Sequence, residues 1–401
     1  MTSAREANPI RGLLLFFLAA LTAFGPLSID MYLPAFPQIT ADLHAREGAV
    51  EMTLGIFLLS MGVCQVLYGP VSDRFGRRLP LMVGCSLFIL GSLWCTFASS
   101  VHELMAARFL QGFGGAAGVV IARACVRDTL NETQAARAFS QLMLVMGIAP
   151  ILAPWVGGQV LLHGTWHHIF LVMGLFGLFC LAGAIWVLPE TLPVERRVKG
   201  GLGIALGNFW LLLRDRTYLG YITAGGFNSG ILFSYIAGSP FVLIQLHKVP
   251  AQQYAYFFGA NALGIMGAAQ LNRALLRQWT PDRLLRASLL ASALFGAGLV
   301  FCGVTGRGGL WLLLAFLFLS LSCVGIAFPN LAATALSRHG RRAGSAAALL
   351  GAAQFLVGGC FGLLVGWFNN GTALPMTGLM AASGLAGWIA LRLLVPDPRR
   401  G

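Results

Sequence analysis

The sequence predicts an all-α membrane protein of twelve transmembrane helices arranged as two six-helix halves. Three observations carry that expectation. First, 57% of the 401 residues are hydrophobic and only 10% are charged, where soluble domains carry about 25% charged residues. A soluble fold of this length must still build a polar exterior, and this composition cannot supply one. Second, the apolar residues form continuous runs of spanning length rather than the alternation of a β-barrel strand. Third, a single long polar connection falls near the middle of the chain. Disorder, a collagen-like fibre and a disulfide scaffold are excluded by the same composition.

At about 20 residues per spanning helix, six spans are marked in the first half, at roughly 12–34, 50–69, 79–98, 103–126, 138–162 and 168–188. Six follow at roughly 217–240, 252–272, 284–303, 309–336, 345–368 and 374–394. The connection from Pro189 to Arg216 holds Glu190, Glu195, Arg196, Arg197, Lys199, Arg214, Asp215 and Arg216. The expected organisation is a first half 1–188, a cytoplasmic linker 189–216 and a second half 217–401. The charged turn at 69–78 is echoed near Arg273, Arg277, Asp282 and Arg283. Parallel repeats of this kind are one of the plans on which secondary transporters are built.

The 27 Lys and Arg against 14 Asp and Glu give a formal net charge of +13. With the N-terminus placed in the cytoplasm, the arginine clusters at 74–78, 127–137, 196–216, 273–286, 338–342 and 392–400 all fall inside. Arg46, Lys248 and Arg307 alone fall outside, and Arg108 and Arg123 lie within the fourth span. The positive-inside rule then puts both termini in the cytoplasm. The charge excess is thus read as topology, and nucleic acid is not expected as a partner. The eight cysteines all sit in apolar stretches without a CxxC pair, which reads as packing with free thiols. No cleavable signal is expected, because the first run continues to Asp30 and Pro34 without a small-residue cleavage site.

Four motifs carry chemistry. GPVSDRFGRR, Gly69 to Arg78, occupies the first cytoplasmic turn. Its glycines Gly69 and Gly76 permit a tight turn. Asp73 can face the N-terminus of span eleven near Ala343, beside Arg338, Arg341 and Arg342, and so form with Arg74 and Arg77 a latch between the halves. The plainer reading is topology-setting charge, which suits Arg78 better. ARFLQGFGG places Arg108 and Gln111 inside span four. An arginine at the centre of a span costs on the order of 2.5–3.5 kcal/mol, so a partner is expected. Asp30 is the only acid well inside an apolar run and lies at matching depth; the alternative is an Arg108 that snorkels to the outer headgroups.

GIAPILAPWVGG, with Gly147, Pro150, Pro154, Gly157 and Gly158, reads as a bending, closely packed span five, or as generic small-residue packing. LSIDMYLPAFP, Leu27 to Pro37, closes span one. Other mid-span polar or aromatic residues are Tyr32, Gln65, Gln141, Asn228, Tyr235, Tyr256, Asn261, Asn330 and Gln354. Together with Gln111 they are the candidate wall of a substrate cavity, about half of them expected to be packing. Arg123 sits near the inner end of its span. His163, His167 and His168 lack an acidic or cysteine neighbour, so an interfacial structural role is expected and no metal site.

The turn at 69–78 resembles the signature of the major facilitator superfamily, and Gly147–Gly158 its antiporter motif, with Ala153-Pro154 where that motif has Gly-Pro. With ARACVRD, LPETLPVERR, GNFWLLLRDRTYLGY and AGSPFV, the chain resembles the Bcr/CflA drug-resistance branch, including its bicyclomycin-resistance members, over nearly its whole length. The resemblance implies a major facilitator fold and a proton-coupled exporter of drugs or other small solutes in a bacterial inner membrane, needing no cofactor beyond the proton gradient. Multidrug relatives carry a second membrane acid two turns earlier in span one, where this chain has Thr22.

The residues themselves point to exchange at one site. Desolvation favours a proton on Asp30 and a neighbouring Arg108 favours its loss, so a small rearrangement switches its protonation. The expected partners are the lipid bilayer, protons and a small-molecule substrate, with the chain acting as a monomer. A proton-coupled importer of a small organic solute is the main alternative; it would call for more membrane acids, and none lies between Asp215 and Asp282. An ion channel lacks its filter rings. An enzyme lacks its nucleotide loop or nucleophile motif.

Overall fold

The computed structural model describes residues 9–197, 201–337, 339 and 342–396. Among these no strand occurs. Eleven helices are long and apolar enough to cross a membrane. They are α1 (Gly12–Asp42), α2 (Ala49–Phe75), α3 (Arg78–Thr96), α4 (Val101–Thr129), the helix at Glu132–His163 designated α5, α6 (Trp166–Trp186) and α7 (Arg216–Leu246), followed after α8 by α9 (Pro281–Thr305), α10 (Gly309–Ser337), α11 (Ala343–Trp367) and α12 (Leu374–Leu394). Where a span is expected at 252–272 the chain forms a helix, α8 (Ala251–Leu275). It is long enough to cross but more polar than the rest, with Gln252, Gln253, Asn261, Gln270, Asn272 and Arg273 along it.

The helices begin where the sequence offers a cap. Ser100, Asn131 and Thr280 accept the backbone N–H groups of Glu103, Gln134 and Arg283, and Asp215 accepts those of Thr217 and Tyr218. Each cap satisfies donors that a helix start leaves without partners. Prolines bend two helices at related places. In α1, Pro34 has no N–H to give the carbonyl of Asp30, and the chain tightens into a 3-10 turn at Leu33–Ala35. In α7, Pro240 opens a wider π-turn through Leu246, closed by the His247 N–H on the Val242 carbonyl at 3.1 Å.

The connection expected as a linker at 189–216 contains a helix, Gly201–Leu213, that lies against α2 and α11 and buries Phe209 and Leu212. Lys199, Arg338, Arg341, Arg399 and Arg400 lie outside the described residues.

Two seams join helices expected in different halves. α2 lies along α11, with Gly55 against Gly359 and Leu363 and Gly62 against Leu356. α5 lies along α8, with Gly147 against Met266 and Gly259 against Ile151. Without a hydrophobic force between helices in lipid, such close backbone approach supplies the packing energy. One end of the bundle is arginine-rich and carries residues 74–78; the other is arginine-poor and carries residues 42–49.

Candidate functional site

The break in α1 delivers Asp30 to the middle of the protein, where it is 2% exposed and its Oδ1 has no hydrogen-bond partner. Arg108 of α4 is wholly buried. Its Nη2 donates to the Ser28 carbonyl at 2.8 Å and its Nη1 to the Gln111 side chain. The guanidinium lies over the rings of Tyr32 and Phe57, at 4.3 and 4.2 Å from their centroids. The expected ion pair between Asp30 and Arg108 is therefore not formed: among the described residues no salt bridge involves either. Aromatic faces and a backbone carbonyl stabilise the arginine instead, so the snorkelling alternative fails as well. Asp30 lies within electrostatic reach of Tyr235 and Tyr254, on α7 and α8.

Around Asp30 the structure gathers some candidates and disperses others. Asn261 donates its amide to Tyr235 Oη at 2.9 Å, Tyr235 stacks on Phe258 at 5.5 Å, and Ser239 shares a hydrogen bond with Tyr254 at 2.8 Å. Asn228, seven residues before Tyr235 and so on the same helix face, is 1% exposed with neither amide atom bonded. Tyr32 shares a hydrogen bond with Thr53 at 3.2 Å. Gln65 is buried at the α2–α11 seam beside Gly351, and Gln354 is half-buried on α11.

Four candidates belong to packing or to the surface. Gln111 is turned into the helix interface, donating to Ser92 Oγ at 2.8 Å. Asn330 donates to Asn272 at 2.7 Å, an interhelical bond between α10 and α8. Tyr256 is 68% exposed in line with Leu263 and Leu271, the lipid-facing stripe of α8, and is no part of a cavity wall. Gln141 is likewise exposed, in line with Leu144, Ile148 and Leu152.

The α5 motif supports the site from behind. Gly157 lies directly against the Met31 carbonyl, so that any Cβ there would overlap it, and Gly158 approaches Gln252 of α8. Pro154 is buried and Pro150 half-buried within the same helix.

At the arginine-rich end the expected latch is wired differently. Asp73 accepts from Arg77 Nη1 at 2.6 Å, and Arg77 Nε reaches Asp128 of α4 at 2.8 Å. Gly76 takes a left-handed φ of +89° beside the Glu190 carboxylate, which accepts the Arg77 and Arg78 N–H groups at 2.8 and 3.3 Å. Burial works to raise the Glu190 carboxyl, but these N–H groups, that of Leu192 and the Arg197 guanidinium outweigh it and hold it below the ordinary range. Arg74 lies over the Phe75 ring, and Gly69 has open space around it. Among the described residues Asp73 makes no bond to the start of α11. The turn instead fastens α2, α4 and the beginning of the linker to one another. A similar pair, Asp282 with Arg286 at 2.7 Å, takes a hydrogen bond from Tyr221 and stands at the start of α9.

The sequence reading missed Asp128, Glu190, Ser239, Tyr254 and Glu51. Glu51 is a second buried acid, 4% exposed in the first turn of α2; its place at a span edge hid it. Asp128 and Glu190 stand in the quoted ARACVRD and LPETLPVERR segments, so proximity to the glycine turn was their available signal. His168 caps α6 by accepting the Thr165 N–H, and His167 stacks on Trp166. Among the described residues no group of His, Cys, Asp and Glu is placed to hold a metal.

Comparison with known proteins decides the family. A model described as Major Facilitator Superfamily matches residues 15–363. The chain belongs to the major facilitator superfamily. It is 36% identical over 379 residues to the uncharacterized MFS-type transporter YdgK of Bacillus subtilis, covering 94% of each chain. It is 34% identical over 374 residues to a bicyclomycin resistance protein homolog of Haemophilus influenzae, covering 91% of this chain and 92% of that one. Multidrug resistance protein MdtL of Shigella dysenteriae is 27% identical over 379 residues, 94% of each chain. Among solved structures, the xylose transporter XylE of E. coli in a partially occluded inward-open conformation superposes with a TM-score of 0.72 at 14% identity, over 96% of this chain and 97% of that one. A bacterial homolog of the human lysosomal transporter Spinster gives 0.74 at 14% identity, over 98% and 100%. The chain is thus a multi-spanning secondary transporter for small solutes with a major facilitator fold, related to drug-resistance exporters, and not an enzyme.

Proposed function

We propose that this transporter is a proton-coupled antiporter that exports drugs or other small solutes across a bacterial inner membrane by alternating access. In this reading both termini and the arginine-rich end face the cytoplasm, residues 1–188 and 217–401 are the two moving halves, and a monomer does the work. The observation that carries it is the carboxylate of Asp30, buried where α1 packs on α4 and α5, within electrostatic reach of Tyr235 and Tyr254, and lacking a partner on Oδ1. An unpaired carboxylate in a low-dielectric interior is costly while ionised, so it exchanges a proton whenever access to water changes.

Opened outward, Asp30 takes a proton and cargo leaves. Opened inward, it releases that proton as new cargo binds near Asn228, Tyr235 and Asn261. Arg108 acts indirectly, by fixing the Ser28 carbonyl two residues before the acid. One proton crossing ~100 mV supplies ~2.3 kcal/mol, which concentrates a neutral solute by tens of fold. The relatives named for bicyclomycin and multidrug resistance support the direction and the cargo class.

The test is a drug-accumulation panel in efflux-deficient bacteria, with and without an uncoupler. Export predicts lowered accumulation that uncoupling restores, and Asp30→Asn is expected to abolish it. Raised accumulation that uncoupling collapses would instead mark an importer, and gradient-driven efflux surviving in Asp30→Asn would move the proton site elsewhere.

A further inference from the structure

The arginine-poor end carries an acid that the mechanism above does not use. Glu51 stands in the first turn of α2, and the end of α11 covers it. The Gly48 and Gly366 backbones meet so closely that neither tolerates a Cβ. Arg46 lies over the Trp367 ring at 5.9 Å, and Asn369 offers its amide to Glu51 Oε1 at 3.5 Å. Glu51 is thus buried by helices on both sides of a seam that must part if this end opens.

The charges around it are few. α11 presents none, since no Asp, Glu, Lys, Arg or His occurs from 343 to 369. Arg108, the buried cation of α4, is held on Phe57, Tyr32 and Ser28. Asp42, at the end of α1, accepts the Trp166 indole N–H at 2.9 Å. α7 carries no charged residue after Arg216. Glu47, a like charge, stands four residues before Glu51 on the approach to α2. No cation within ion-pair distance neutralises it among the described residues.

We infer that Glu51 is a second proton-binding site, loaded when the arginine-poor end closes and free to ionise when it opens. With this end open, the carboxylate faces water at a helix start, where negative charge is favoured. Closing the seam removes the water and supplies only a neutral amide, so closure takes up a proton. By linkage, acidity on that side favours the closed state, up to tenfold in the closed-to-open ratio per pH unit for one proton. The inference rests on alternating access but not on Asp30, the cargo or the direction of transport.

The test uses the full chain in lipid nanodiscs, with spin labels at Ala41→Cys and Arg307→Cys, on either side of this end, and Cys360→Ser to remove the exposed native thiol. The inter-label distance is followed against pH. The unaltered seam is expected to shift from open to closed as pH falls, and Asp30→Asn to do the same. Glu51→Gln, neutral throughout, is expected to stay closed at every pH. Asn369→Asp, which sets a second carboxylate against the first, is expected to need a lower pH to close. A Glu51→Gln protein that titrates like the parent overturns the inference. So does a titration lost in Asp30→Asn, or an Asn369→Asp curve that does not move.

Discussion

Arg108 holds the carbonyl oxygen of Ser28, 2.8 Å from Nη2, and leaves the Asp30 carboxylate two residues further on unpaired. In the proposed cycle the arginine shapes the bend that presents the acid, and the acid stays free to change charge. A planar fork that donates in two directions while stacking on Tyr32 and Phe57 is a task lysine cannot repeat.

Arg108→Lys is accordingly expected to lower stability, because the Ser28 carbonyl or the Gln111 amide loses its donor at a cost of about 1–3 kcal/mol. Export is expected to fall about fivefold to 150-fold where that same cost falls on the transport cycle, about 1.4 kcal/mol being a factor of ten. Thermal unfolding of the purified protein and efflux from cells are the two measurements. A variant matching the parent in both would remove Arg108 from the site.

Asn228 separates ligand contact from packing. Its two amide atoms are buried without partners, an arrangement that costs stability where nothing binds. Asn228→Leu keeps the branched shape and the number of heavy atoms and deletes the unsatisfied groups. It is expected to leave the melting temperature unchanged or higher while raising the KM for cargo several-fold. If Asn228 served packing alone, the melting temperature would fall and KM would hold.

The membrane fold was legible in the sequence because it follows from composition and from the length of apolar runs, properties that every residue shares. Asp30 and Arg108 were legible individually, since charge inside a span is rare. Their relation was not, because depth along a helix says nothing of direction around it: Arg108 meets ring faces and a backbone carbonyl that no charge pattern reveals. Tyr256 and Asn261 illustrate the same limit. Both are mid-span and polar, yet five residues of rotation put one in lipid and the other on Tyr235. Glu51 escaped notice because a span edge looks like a loop until a second helix is seen to cover it.

The α5 motif yields a prediction that depends on one ångström-scale difference between adjacent glycines. Gly157 meets the Met31 carbonyl directly after Asp30, with no space for a Cβ, whereas the nearest atom to a Cβ on Gly158 is Gln252 Cα at 3.8 Å. Both glycines lie within the same helix, so helix propensity alone would make either substitution by alanine favourable by about 1 kcal/mol. Space decides between them. Gly157→Ala must push α5 away from the bend in α1, and overpacking of this kind costs about 1–3 kcal/mol. It is expected to lower the melting temperature and to impair export by moving the peptide that follows Asp30. Gly158→Ala is expected to fold and export as the parent does. Equal behaviour of the two variants would show that general flexibility of α5, rather than its contact with Met31, is what the motif supplies.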